Sequence, residues 1–80
     1  MKVKIYTTPT CGFCIAAKRL LNDNDIPFEE VDLRDPAERS RVQAEFDWPT
    51  VPIVFVGDEL VGGYTELDAY SRRNGMESLR

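Results

Sequence analysis

The feature that most constrains the fold of this 80-residue chain is the order in which two spacings of apolar side chains follow one another. Apolar residues at every second position indicate strands, and apolar residues three or four positions apart indicate helices. Proline and glycine interrupt the pattern where one element gives way to the next. The pattern predicts strands at residues 3–7, 28–33, 51–56 and 59–61, and helices at residues 13–22, from Asp35–Pro36 to the segment DWPT, and from Gly62–Gly63 to about Asn74–Gly75.

This order of elements predicts an α/β fold with a four-stranded mixed sheet and helices on both faces. Strands joined through a helix run parallel with a right-handed crossover, whereas the turn at Gly57–Asp58 joins an antiparallel hairpin. On the first helix, Ile15, Ala16 and Leu20 are expected to form the apolar face, with Arg19 outside. The carboxyl end of the first strand then meets the start of the first helix, where open α/β sheets hold their sites.

Both cysteines of the chain, Cys11 and Cys14, lie at that junction in the segment TCGFC. The first residues carry no apolar run typical of a signal peptide, and no stretch approaches the roughly 18 apolar residues of a membrane span. We therefore expect the protein in the cytoplasm with no membrane partner. Thiols stay reduced there, so a close cysteine pair is catalytic or metal-binding rather than structural.

The charge and the counts of cysteine and histidine limit which molecules the chain can bind. The net charge of −4 and the lack of a basic cluster argue against nucleic-acid binding, so the partners are expected to be proteins or small molecules. Structural zinc takes four ligands, and a chain with two cysteines and no histidine cannot supply them alone. A metal or cluster site shared between two chains, or completed by external thiols, stays open.

The position of the two cysteines predicts a different role for each thiol. The free amides and positive dipole end of a helix N-terminus favour the thiolate form of Cys11, which makes it the expected nucleophile. Cys14 is one helical turn further on and more deeply placed, where a thiol keeps its proton. Thiol exchange needs an attacking thiolate and a second thiol that resolves the mixed disulfide, and this spacing supplies both.

Three segments together resemble the glutaredoxins along essentially the whole chain: CGFC at residues 11–14, TVP at residues 50–52, and GGYTEL beginning at Gly62. The resemblance implies a single glutaredoxin-like domain over residues 1–80 with the thioredoxin fold, in the order β-α-β-α-β-β-α. It also implies a thiol–disulfide oxidoreductase, expected as a monomer, that reduces protein disulfides and glutathione mixed disulfides with glutathione as co-substrate.

The same resemblance implies which residues hold glutathione. Pro52 would be a cis proline facing the cysteines, and Val51 would offer its backbone to the substrate. Backbone amides at Tyr64 and Thr65 would hold the γ-glutamyl carboxylate at the start of the last helix. Arg39, Arg41 or Gln43 would meet the glycine carboxylate, as residues of the second helix do in relatives. The implied glutathione-binding set is Phe13, Thr50, Val51, Pro52, Gly63, Tyr64 and Thr65.

Three departures from the family pattern keep alternatives open. Thr8 stands where many glutaredoxins have lysine, Gly12 and Phe13 stand between the cysteines in place of proline and tyrosine, and Thr65 stands where several relatives have aspartate. The first alternative is a dimeric carrier in which Cys11 of two chains and two glutathiones hold a [2Fe–2S] cluster. The others are a relative that uses mycothiol and a redoxin reduced by thioredoxin reductase.

Overall fold

The computed structural model describes residues 2–74 of the chain. Four strands and three helices follow one another in the predicted order. They are β1 (Val3–Thr7), α1 (Gly12–Asp23), β2 (Phe28–Asp32), α2 (Pro36–Phe46), β3 (Ile53–Val56), β4 (Glu59–Gly62) and α3 (Tyr64–Asn74). The predicted order β-α-β-α-β-β-α is therefore confirmed. The expected end of the last helix extended to Gly75, which lies outside the described residues.

The four strands form one mixed sheet in the spatial order β2-β1-β3-β4. β1 and β2 are parallel, as expected for strands joined through a helix. β3 is antiparallel to β1 and to β4, with which it forms the predicted hairpin through Gly57 at a φ of 61°. The strand β1 is thus central, and its carboxyl end leads directly into the loop that carries the cysteines.

Alternating side chains on the strands build two apolar layers on opposite faces of the sheet. On one face, Val3 and Ile5 pack with Leu21 of α1 and Leu67 of α3. On the other face, a smaller cluster forms around Val42 of α2. The aromatic residues divide between the two faces, with Phe28 and Tyr70 on the first and Phe46, Trp48 and Phe55 on the second. The helices therefore cover both faces, as predicted.

The second helix begins where the sequence places it. The Asp35 side chain accepts a hydrogen bond from the backbone N–H of Ala37 at 3.0 Å, which satisfies one of the free amides of the first turn. Pro36 follows at the first helical position, where its missing N–H costs nothing. The helix ends at Phe46, and the next residue, Asp47, adopts a left-handed conformation with a φ of 52°.

The predicted apolar face of the first helix is wrong at Ile15, whereas Leu20 packs against the core as expected. The buried residues of α1 are Cys14, Ala17 and Leu21, whereas Ile15 is 50% exposed. The helix is rotated from the expected orientation because Cys14, a small apolar side chain, belongs to the core. Ile15 consequently lies on the outer surface of the helix, close to the site.

Candidate active site

Cys11 is the residue immediately before α1, and its side chain caps that helix. Its backbone is extended, with a φ of −95° and a ψ of 115°, and its sulfur accepts a hydrogen bond from the Cys14 backbone N–H at 3.1 Å. The hydrogen bond satisfies one of the amides of the first turn that have no carbonyl partner within the helix. Cys11 is half-buried, so the sulfur can be reached from outside.

The start of β3 lies opposite this sulfur. The Cys11 thiol donates to the backbone carbonyl of Val51 over 3.6 Å, although 40 residues separate the two in the chain. The Val51–Pro52 peptide bond is cis, as the resemblance implies. The strand β3 accordingly begins at Ile53 rather than at residue 51, and the residues before it form one side of the site.

Cys14 lies beneath Cys11 in the core, with 1% of its surface exposed. Burial, followed by the hydrogen bond with Cys11, raises the pKa of the Cys14 thiol to about 12. The backbone at Thr8 and the charge of Lys18 act in the opposite direction. Cys14 is therefore a protonated thiol at neutral pH, while Cys11 is the accessible sulfur.

This difference predicts selective alkylation of the native protein. Near pH 8 a thiol with a pKa of about 12 has a thiolate fraction of only roughly 10⁻⁴, and the thiolate is the reactive form. We expect iodoacetamide to add one group, at Cys11, and the reactivity of Cys14 to rise only as the pH increases toward 12. Peptide mapping by mass spectrometry measures this, with urea-unfolded protein, in which both thiols react, as the control. Equal labelling of both cysteines in the native protein would contradict the assignment.

A polar contact anchors α1 to the edge of the sheet beside Cys14. The Thr7 hydroxyl donates to Glu30 Oε2 at 2.6 Å, and Lys18 Nζ donates to the same oxygen at 2.9 Å. The bond from Thr7, followed by the bond from Lys18, holds the pKa of the Glu30 carboxyl below its usual range. The ammonium of Lys18 is therefore occupied by a carboxylate on β2.

A groove of about 180 Å³ runs between the start of α1, the Val51–Pro52 segment and the start of α3. The rings of Phe13 and Tyr64 stack at one side, with centroids 6.2 Å apart and planes 26° from parallel. All seven residues of the expected glutathione-binding set line this groove, together with Glu66. The lining residues are Phe13, Thr50, Val51, Pro52, Gly63, Tyr64, Thr65 and Glu66.

Glu66 is the lining residue that sequence reasoning missed. Its carboxylate accepts a hydrogen bond from the Gly63 backbone N–H at 2.9 Å, so it turns back over the start of α3. The amides of Tyr64 and Thr65 are in the first helical turn, where no carbonyl of the helix can accept from them. A glutamate at the third helical position is the known signal for such a cap, and it would have identified Glu66.

Trp48 fixes the turn that leads into α3. Gly62 has a φ of 124°, and a Cβ built there would lie 2.9 Å from the indole ring. Within residues 2–74, the indole Nε1 of Trp48 is buried and has no hydrogen-bond partner. The tryptophan is thus packed tightly against the glycine pair that shapes one end of the groove.

Three side chains of α2 were expected as candidates to contact the glycine carboxylate of glutathione, and the structure distinguishes between them. Arg41 forms ion pairs with Glu38 and Glu45, and the side-chain amide of Gln43 donates to the Pro49 carbonyl at 3.2 Å. Arg39 makes no ion pair with any described residue. Of these three side chains, Arg39 is therefore the one that none of the ion pairs or side-chain hydrogen bonds described for residues 2–74 engages.

Two kinds of feature are absent from residues 2–74. No group of three or more His, Cys, Asp and Glu side chains there is placed to hold a metal ion. None of the helices in the same range has the length and apolar character needed to cross a bilayer.

The sheet order, the cis proline and the two cysteines at the start of α1 define a thioredoxin-fold protein with a dithiol site. A family model described as glutaredoxin matches residues 3–61. A glutaredoxin from Pseudomonas aeruginosa is 35% identical over 78 residues, covering 96% of this chain and 93% of that protein. The crystal structure of glutaredoxin 1 from Francisella tularensis complexed with cacodylate superposes with a TM-score of 0.85 at 39% identity, covering 90% and 93% of the two chains.

A third relative is longer. The hybrid peroxiredoxin hyPrx5 from Haemophilus influenzae is 41% identical over 68 residues. The matched region covers 85% of this chain and 28% of that protein. The chain belongs to the glutaredoxin family. Glutaredoxins are in general thiol–disulfide oxidoreductases whose partners are glutathione and protein disulfides.

Proposed function

We propose that this protein reduces protein disulfides and glutathione mixed disulfides, with Cys11 as the nucleophile and Cys14 as the resolving thiol. The observation that carries the proposal is the contrast between the two sulfurs. Cys11 is accessible and receives an amide hydrogen bond at the start of a helix, whereas Cys14 is buried with a raised pKa. The Cys11 sulfur is therefore suited to attack the substrate, and the Cys14 sulfur is suited to react only after a mixed disulfide has formed.

The reaction then proceeds in two exchanges. The Cys11 thiol loses its proton to solvent, and the thiolate attacks one sulfur of the substrate disulfide, which releases the other sulfur as a thiolate that takes up a proton. In a protein disulfide, Cys14 next loses its proton and attacks the Cys11 sulfur. The Cys11–Cys14 disulfide forms, the second substrate thiol leaves, and two electrons have passed from the enzyme to the substrate.

We propose that glutathione restores the dithiol and binds in the groove beside Cys11. The free amides of Tyr64 and Thr65 at the start of α3 suit a carboxylate. The backbone of Val51 suits an extended peptide, and the exposed ring of Phe13 supplies apolar contact. Glu66 adds a carboxylate that suits the amino group of the tripeptide, at a place where Thr65 carries no charge.

The remaining expectations are kept as proposals. They are one domain over residues 1–80, a monomer, and a location in the cytoplasm, where both cysteines would stay in the reduced form that the structure has. No observation among the described residues favours a [2Fe–2S] cluster over thiol exchange, so exchange is the function we put forward.

The direct test is turnover of a glutathionylated peptide with glutathione, glutathione reductase and NADPH as the only electron source. We expect NADPH oxidation that depends on the protein and saturates with the peptide. Since the reductase step needs oxidised glutathione, the signal reports glutathione coupling specifically. Mycothiol with its reductase, and NADPH with thioredoxin reductase, serve as the comparison systems. Turnover with either of these and none with glutathione would refute the proposed co-substrate while leaving the dithiol chemistry intact.

A further inference from the structure

Two large apolar side chains are exposed in the described part of the chain, and both lie in the first turns of α1. Phe13 is 65% exposed and Ile15 is 50% exposed. Phe13 lines the groove and stacks on Tyr64, so the proposed glutathione site accounts for it. Ile15 does not line the groove, and the site described above gives no reason for an exposed isoleucine there.

The helix places Ile15 in a row with the reactive sulfur. Cys11, Ile15 and Arg19 are spaced four residues apart, and side chains at this spacing lie above one another on one side of a helix. The backbone N–H of Ile15 donates to the Cys11 carbonyl at 3.2 Å, which confirms that the turn is regular there. We call Ile15 and Arg19 the outer row, because the buried side of α1 is formed by other residues.

The outer row and the groove are on different sides of Cys11. Phe13 turns toward α3, where it meets Tyr64, whereas Lys18 turns the other way and meets Glu30 on β2. By helical spacing, Ile15 lies between the exposed side of α1 and the side that carries Lys18. A molecule that fills the groove therefore leaves the outer row uncovered.

The charge of this surface differs from that of the whole protein. The net charge of the chain is −4, yet α1 carries Lys18 and Arg19 and has no acidic residue before Asp23 at its end. Lys18 is paired with Glu30. Arg19 is exposed and makes no ion pair with any described residue, so a positive charge stands beside the exposed isoleucine.

We propose that the outer row docks the protein part of a disulfide-bearing substrate, through a segment that carries an apolar side chain and a carboxylate near its cysteine. The inference rests on the proposed function, because a protein sulfur that reaches Cys11 brings its neighbouring residues across the start of α1. Ile15 would take the apolar side chain and Arg19 the carboxylate. The groove would then recognise the tripeptide, and the outer row would distinguish one glutathionylated protein from another.

The test compares three substrates that share the same glutathione moiety. The first is the mixed disulfide of glutathione and 2-mercaptoethanol, which is too small to reach Ile15 and serves as the reference. The second is a glutathionylated peptide with leucine and aspartate near its cysteine, and the third has serine and lysine in their place. We expect the kcat/KM of the acidic apolar peptide to exceed that of the basic one by about tenfold, mainly through KM.

Two variants assign the preference to the outer row. Ile15→Ser should lower the ratio of kcat/KM for the acidic apolar peptide to kcat/KM for the reference about fivefold. The reason is that the exposed half of the isoleucine side chain no longer contacts the leucine of the peptide. Arg19→Glu should reverse the preference between the two peptides at low salt, and the reversal should fade at about 0.5 M salt because exposed charges are screened. Arg73→Glu, which makes the same charge change on the exposed surface of α3, is the matched control.

The outcomes separate the two proposals. If the wild-type protein fails to turn over the small mixed disulfide, the proposed function itself is wrong. If it turns over all three substrates and neither Ile15→Ser nor Arg19→Glu changes the ratios beyond Arg73→Glu, the docking role of the outer row is refuted. Thermal unfolding of each variant shows that a lost preference does not come from a lost fold.

Discussion

Cys11→Ser is expected to abolish disulfide reduction, with a loss of at least roughly three orders of magnitude in kcat/KM for every substrate. A serine hydroxyl keeps the hydrogen-bond geometry at the start of α1 but supplies no thiolate, so neither exchange can begin. The NADPH-coupled assay with a glutathionylated peptide and with a small protein disulfide measures both reactions. Residual turnover above the uncatalysed rate would show that Cys11 is not the nucleophile.

Cys14→Ser is the companion variant, and it should affect the two substrates differently. Reduction of the glutathione mixed disulfide needs Cys11 alone, because a second glutathione can release the product. Reduction of a protein disulfide needs the internal attack by Cys14 and should lose most of its rate. Equal losses in the Cys11 and Cys14 variants on both substrates would refute the division of roles. Circular dichroism checks that a hydroxyl at this buried position leaves the fold intact.

Gly62→Ala is expected to lower the free energy of unfolding by about 3 kcal/mol, a large share of the stability of a small domain. A φ of 124° is unfavourable for any residue with a Cβ. The added methyl would also lie 2.9 Å from the Trp48 ring and from Cγ of Glu66, so the ring must move. Urea unfolding followed by the fluorescence of Trp48, the one tryptophan of the chain, measures the change directly.

Two other glycines separate the causes of this loss. Gly57 has a φ of 61° with nothing within 4 Å of an added methyl, so Gly57→Ala carries backbone strain alone and should cost about 1 kcal/mol. Gly12 also has open space and no positive φ, so Gly12→Ala should not destabilise the protein. If Gly62→Ala costs no more than Gly57→Ala, the packing of Trp48 against the turn contributes nothing.

The sequence predicted the order of elements because each element carries its own local signal. Asp35 and Pro36 mark the start of α2 through the chemistry of one helical turn. The apolar run at residues 53–56 marks a buried strand whichever strands it pairs with. Such local signals do not depend on the rest of the fold. They were sufficient to predict that the cysteines follow the end of β1.

The orientation of α1 could not be predicted in the same way. Apolar residues occur at positions 13 to 17 and at positions 20 and 21, so two different faces of the helix satisfy the spacing rule. The choice between them depends on whether Cys14 or Ile15 meets the sheet, which is a tertiary contact. Cys14 was expected to lie deeper than Cys11 but was not counted among the apolar residues of the helix, and it belongs to the core.

The seven residues expected to bind glutathione all line one groove, and their role in binding stays a prediction. The resemblance identified residues from three separate segments, and the sheet brings them together. Glu66 was missed because its carboxylate acts on the backbone of Gly63, and side chain to backbone bonds leave only a short spacing signal in the sequence. The engagement of Arg41 and Gln43 by their neighbours likewise follows from geometry alone.

The sulfur of Cys11 caps α1, and in the proposed mechanism the same atom is the nucleophile. When that sulfur enters a disulfide it becomes a poorer acceptor for the Cys14 amide, and the first turn of α1 loses part of what holds its end. If Cys11 is the nucleophile, we therefore expect each turnover to loosen and then restore one end of this helix. We expect amide hydrogen exchange in the first turn of α1 to be faster in the oxidised protein than in the dithiol form.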